Sequence, residues 1–95
     1  MERFYIVAYD VGDPKRWRRV FRIMNGYGDW VQLSVFQCRL TKTRAIQLQA
    51  ELQKAIHNEE DHVLIMDLGP AESIRTQVTS LGRPFTPIQR QPIIV

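Results

Sequence analysis

Six consecutive apolar or aromatic residues, Phe4 to Tyr9 (FYIVAY), stop at Asp10, and no other feature of the chain limits its folding as much. A strand with one wet face alternates apolar and polar side chains. An unbroken run of this length instead suits a central strand covered on both faces. Asp13-Pro14 follows, an N-cap residue and then the residue best adapted to the first helical position. The helix is predicted to continue to Asn25 and to stop at Gly26. On a helical wheel Trp17, Val20, Phe21 and Met24 form one apolar stripe, while Lys15, Arg18, Arg19 and Arg22 lie opposite.

Asp29 to Leu40 (DWVQLSVFQCRL) alternates well enough to be extended, with Val31, Leu33 and Val35 facing one way and Gln32, Ser34, Phe36 and Cys38 the other. The segment is long for one strand. A break near Leu33 and Ser34 would divide it, but neither Gly nor Pro marks the place, and the pattern leaves both readings open. A second helix begins at Thr41 or Lys42 and ends near His57-Asn58, with Ala45, Leu48, Leu52, Ala55 and Ile56 as its buried stripe. His62 to Leu68 (HVLIMDL) is the next strand, closed by Gly69-Pro70. A further short strand is expected over Thr76 to Leu81, ahead of Gly82-Arg83-Pro84. The tail holds Pro84, Pro87 and Pro92 and finishes on Ile93-Ile94-Val95, an apolar end that a lone subunit gains little by exposing. Strands alternating with two helices predict an α+β sandwich, one sheet with both helices on one face. Residues 1–82 are read as the domain and 83–95 as a tail.

Composition removes several classes of function. At 95 residues a folded chain buries only about 60 to 65% of the surface its unfolded form exposes, which favours a shallow or shared site over a deep cavity. The single Cys38 cannot close an intrachain disulfide, and nothing near Met1 resembles a charged segment leading into a long apolar one, so a cytoplasmic location is expected. No apolar run approaches the roughly 18 residues that span a bilayer, so no membrane role is expected. Patterns for phosphate-cradling loops, serine hydrolases, redox pairs and zinc proteases are missing. The formal net charge is +3, yet five of the 13 Lys and Arg fall between Lys15 and Arg22, a placement that suits a polyanion.

Asp10 carries the most chemical information. A carboxylate directly after an apolar strand sits at that strand's C-terminal end, where open α/β sheets bind ligands; the competing reading is a turn-forming aspartate. One carboxylate cannot cage Mg²⁺, but this ion keeps several waters and takes one or two carboxylates, so a two-fold related copy would complete a site. The basic cluster suits phosphate, which matches arginine's planar fork and confers affinity and salt dependence rather than sequence choice. Ser34 and Phe36 share a strand face from which a hydroxyl and a ring can approach a nucleotide, against the reading of Phe36 as core. His57 and His62 lack any spacing that would build a metal site with Cys38 and read as structural or surface residues.

Four stretches occur in a telling order: Tyr9-Asp10-Val11, the basic helix KRWRRVFRIM, the turn Gly26-Tyr27-Gly28 and the strand VQLSVFQCRL. With them the chain resembles, over nearly its whole length, the small CRISPR-associated spacer-acquisition family (Cas-two). The resemblance implies a ferredoxin-like βαββαβ sandwich, and therefore two strands in the long middle segment. It also implies a homodimer in which an extra C-terminal strand is exchanged with or added to the partner subunit, giving Ile93, Ile94 and Val95 an interface by strand addition. Three activities come with it: an endonuclease dependent on Mg²⁺ or Mn²⁺ that cleaves single-stranded RNA or double-stranded DNA; a non-catalytic adaptor bridging integrase subunits on a DNA duplex; and a small toxin-like ribonuclease. In the family's pattern the aspartate after strand one, here Asp10, is catalytic and binds metal. Ser34 is implied as a second catalytic residue, and Tyr9, Phe36, Arg16, Arg18 and Arg19 as nucleic-acid contacts. Trp17 stands where some members carry another arginine. The implied mechanism is metal-assisted phosphodiester hydrolysis, with two Asp10 carboxylates on one ion and Ser34 orienting water or phosphate.

Overall fold

The computed structural model describes residues 1–75 and 77–83, so the interface strand expected at Ile93, Ile94 and Val95 lies outside the described residues. The elements run β1 (Glu2–Asp10), α1 (Pro14–Asn25), β2 (Asp29–Gln32), β3 (Val35–Thr41), α2 (Lys42–Ala55) and β4 (His62–Pro70), then a 3-10 turn at Ala71–Ser73. Both helices start where a short oxygen-bearing side chain can take an orphan backbone donor. Asp13 Oδ2 accepts from Arg16 N at 2.9 Å, and Thr41 Oγ1 accepts from Arg44 N at 3.2 Å. No helix among the described residues is long and apolar enough to cross a membrane.

The four strands form one sheet in the order β2-β3-β1-β4, and every pairing is antiparallel. This order, with helices after β1 and β3, is the ferredoxin-like βαββαβ arrangement. Tyr5, Val7 and Tyr9 of β1 and Phe36, Cys38 and Leu40 of β3 point into a core closed by Val20, Met24, Leu48, Leu52 and Ala55 of the helices. Both helices therefore lie on one face.

Three details depart from the sequence expectations. β1 is central, but the helices roof only one of its faces. On the other face Phe4 is buried and Ile6 and Ala8 are half-buried, beside Leu64 and Met66 of β4, which remain 47% and 42% exposed. The strand expected over Thr76 to Leu81 does not form at residues 77–81, where Val78 and Leu81 stay exposed rather than packing on a sheet. β4, for its part, runs through Gly69, which takes φ +119°, to Pro70, with a register shift opposite Phe4 and Tyr5.

The long middle segment is two strands joined by Leu33 and Ser34, and Leu33 occupies the left-handed region at φ 44°. A leucine there needs surroundings that hold it. Three donors do so: Trp30 Nε1 to the Leu33 carbonyl at 2.9 Å, Trp17 Nε1 to Ser34 Oγ at 2.9 Å, and Tyr9 N to the Ser34 carbonyl at 3.0 Å. At the opposite end of β2, Gly28 N donates to Met24 O at 2.9 Å, and a Cβ on Gly28 would overlap Cys38 Sγ and the Gln37 carbonyl. The chain can pass this close to β3 only as glycine.

Candidate metal and nucleic-acid site

Asp10 is the last residue of β1 and pairs with His62, the first residue of β4. Their neighbours Tyr9 and Val63 pack into the core under the helices, so strand alternation turns Asp10 and His62 to the open face of the sheet. Both are exposed. Among the described residues the other aspartates are engaged: Asp13 and Asp61 with Arg16, Asp67 with Arg3, and Asp29 with a partner of its own. The Asp10 side chain has no hydrogen bond or ion pair among the described residues. A cation can therefore take this carboxylate without displacing a partner among the described residues.

Ser34 reaches the same end of the sheet, since the Tyr9–Ser34 backbone bond holds the hairpin tip against the end of β1. Its hydroxyl, however, takes the Trp17 N–H and so lies on the helix side, away from the face that carries Asp10. Tyr9 and Phe36, expected at a nucleic-acid surface, are 6% and 0% exposed and belong to the core. Their rings stack at 6.3 Å with a 24° tilt, and Phe21 meets Phe36 edge-on at 5.5 Å. Burial pushes the Tyr9 phenol up to about 12, with the Ser34 side chain acting in the opposite sense. The phenol is therefore neutral at neutral pH, and its buried hydroxyl finds no hydrogen-bond partner of ordinary geometry among the described residues.

The arginines of α1 divide into two kinds. Arg16 is held by acids: Nε donates to Asp61 Oδ2 at 2.7 Å and Nη2 to Glu60 Oε1 at 3.0 Å. The Asp61 side chain is fully buried and also accepts from His57 N at 2.8 Å. Arg16 therefore ties α1 to the acidic turn before β4 and is not a loose cation awaiting phosphate. Arg18 and Arg19, with Lys15 and Arg22, are exposed on the side of α1 turned away from the sheet. They remain available to a polyanion.

The Arg16 contact, and then the His57 backbone donor, hold the Asp61 carboxyl below the ordinary carboxylate range. A depressed folded value stabilises the protein fully above the unfolded pKa of about 3.9, and that contribution is lost as pH falls through the folded value. Unfolding midpoints of the wild type and Asp61→Asn, measured from neutral to acid pH, should therefore differ most near neutrality and converge below about pH 4. A gap that stayed constant into acid would show that the ion pair contributes nothing.

A metal fits this site only in a particular way. Among the described residues no group of three or more His, Cys, Asp and Glu is gathered, so one chain offers no cage. A hydrated Mg²⁺ needs only one or two carboxylates, and Asp10, exposed and without a side-chain partner among the described residues, supplies one. The sequence did not reveal three contacts: the Arg16–Asp61 pair, the Trp17–Ser34 bond and the placing of His62 opposite Asp10. All three join residues far apart in the chain, and only strand pairing could have signalled the last.

The family model described as CRISPR associated protein Cas2 matches residues 1–75. A protein of Geobacter sulfurreducens named CRISPR-associated endoribonuclease Cas2 is 53% identical over 95 residues, covering 100% of both chains. One of Rhodospirillum rubrum, named CRISPR-associated endoribonuclease Cas2 1, is 55% identical over 94 residues, covering 99% of this chain and 92% of its own. Among solved structures, one described as the crystal structure of Cas2 superposes with a TM-score of 0.78 at 29% identity, covering 95% of this chain and 98% of that one.

Proposed function

The chain belongs to the CRISPR-associated Cas2 family, and from that premise we propose that it is a metal-dependent endoribonuclease acting as a homodimer. The observation that carries this reading is Asp10, an exposed carboxylate at the end of the central strand with no protein partner among the described residues. Two such carboxylates would hold one Mg²⁺ or Mn²⁺ between subunits. When bound, the ion polarises a phosphoryl oxygen and lowers the pKa of a coordinated water.

The homodimer is supported by the open sheet face, where Ile6, Ala8, Leu64 and Met66 form a band ending at Asp10 and His62. A contiguous apolar face of this kind suits burial against a second copy, and it accounts for a first strand that is apolar on both sides. Arg18 and Arg19 would grip the nucleic-acid backbone. Ser34, whose hydroxyl takes the Trp17 N–H and whose carbonyl takes the Tyr9 N–H, would hold the hairpin tip against the end of β1 beside the site. Tyr9 and Phe36 support the site as core beneath it.

The test incubates the purified protein with labelled single-stranded RNA and duplex DNA, with Mg²⁺, with Mn²⁺ and with a chelator. RNA cleavage in either metal, abolished by chelation and restored by added ion, is the expected result; cleavage that survives chelation would sink the metal role. A second reading has its own observation. The exposed cations of α1 lie on the helix layer and Asp10 on the opposite face, so duplex binding by these cations does not require the carboxylate. Salt-sensitive duplex retention with no cleavage under any condition would identify an adaptor that carries DNA for an integrase subunit.

A further inference from the structure

We infer that His62 is a second protein ligand of the Asp10 ion, and that the site prefers a first-row transition ion to Mg²⁺. The inference rests on the metal-binding reading of Asp10 proposed above.

Asp10 and His62 face each other directly across an antiparallel pair. Residues so paired have Cβ atoms about 4.5–5.5 Å apart on one face of the sheet. Carboxylate and imidazole each ligate at about 2.0–2.2 Å, so one ion can be reached from both. The two histidines of the chain differ in what their rings do. His57 Nδ1 accepts from Glu59 N at 3.3 Å and closes its turn, whereas the His62 ring has no partner among the described residues. At this end of the sheet the open face thus presents one unengaged oxygen ligand beside one unengaged nitrogen ligand, with no basic group paired to either. A two-fold copy would double the set to two carboxylates and two imidazoles.

Donor chemistry then selects the ion. Magnesium takes oxygen ligands and sheds water reluctantly. Imidazole suits zinc, cobalt and nickel, which bind mixed nitrogen and oxygen sites more tightly than the hard cations do.

The experiment titrates Zn²⁺ and, separately, Mg²⁺ into the full chain, reading affinity by calorimetry and the imidazole ¹⁵N signals by NMR, with His57→Gln to assign the two rings. Zn²⁺ should displace the His62 nitrogen signal and leave that of His57 in place. His62→Gln should weaken Zn²⁺ binding by about tenfold or more, while Mg²⁺ affinity changes by less than about twofold. If Asp10→Asn abolishes Zn²⁺ binding and His62→Gln leaves it unchanged, the inference is overturned and the Asp10 reading stands. If neither substitution alters binding, both fall together.

Discussion

Asp10→Ala is expected to remove metal-dependent RNA cleavage almost completely while leaving the protein folded. A bound ion supplies several kcal/mol of transition-state charge stabilisation; losing about 4 kcal/mol of it slows cleavage by roughly a thousandfold. The same change should scarcely alter stability, because the Asp10 side chain is exposed and makes no hydrogen bond or ion pair among the described residues. Exposed substitutions of that kind usually fall within about 0.5 kcal/mol. Turnover on labelled RNA and the thermal midpoint, measured on one preparation, separate the two effects. Undiminished cleavage in clean Asp10→Ala protein would place the chemistry elsewhere, and a collapsed midpoint would reveal a structural role that the geometry does not show.

Phe36→Ala should produce the largest stability loss of any single truncation at the site. The ring is 0% exposed, stacked by Tyr9 and met edge-on by Phe21, and its backbone pairs with Val7 at the middle of the sheet. Emptying such a position costs roughly 3–5 kcal/mol, and for a domain of this size each kcal/mol moves the midpoint by about 4–8 °C. A fall of roughly 15 °C or more is therefore expected. Phe36→Leu refills most of the space and should recover more than half of the loss while binding RNA normally. If Phe36→Leu instead folded well and bound RNA poorly, the ring would be a direct contact and its buried position only one of its states.

The fold was legible where local chemistry is strong. Asp13-Pro14 and Thr41 mark the helix starts because a side-chain oxygen three residues ahead satisfies a donor that the helix leaves open. At Leu33 and Ser34 the pattern located a possible break without deciding it, since the φ of 44° is held by two indoles and the Tyr9 amide rather than by a glycine. In the site, Asp10 could be seen from its place after an apolar run. The engagement of Arg16 could not, because its partner Asp61 stands 45 residues away. Tyr9 and Phe36 look alike as surface or core aromatics until strand pairing decides which face they take.

The hairpin tip also gives this protein an optical signature. Both tryptophans of the chain aim their indole N–H groups at this turn, Trp30 at the Leu33 carbonyl and Trp17 at the Ser34 hydroxyl. Indole emission follows the polarity and hydrogen bonding around the ring. The intrinsic fluorescence of the whole molecule therefore reports on one short turn beside the end of β1, and anything that pries that turn open can be watched without a label.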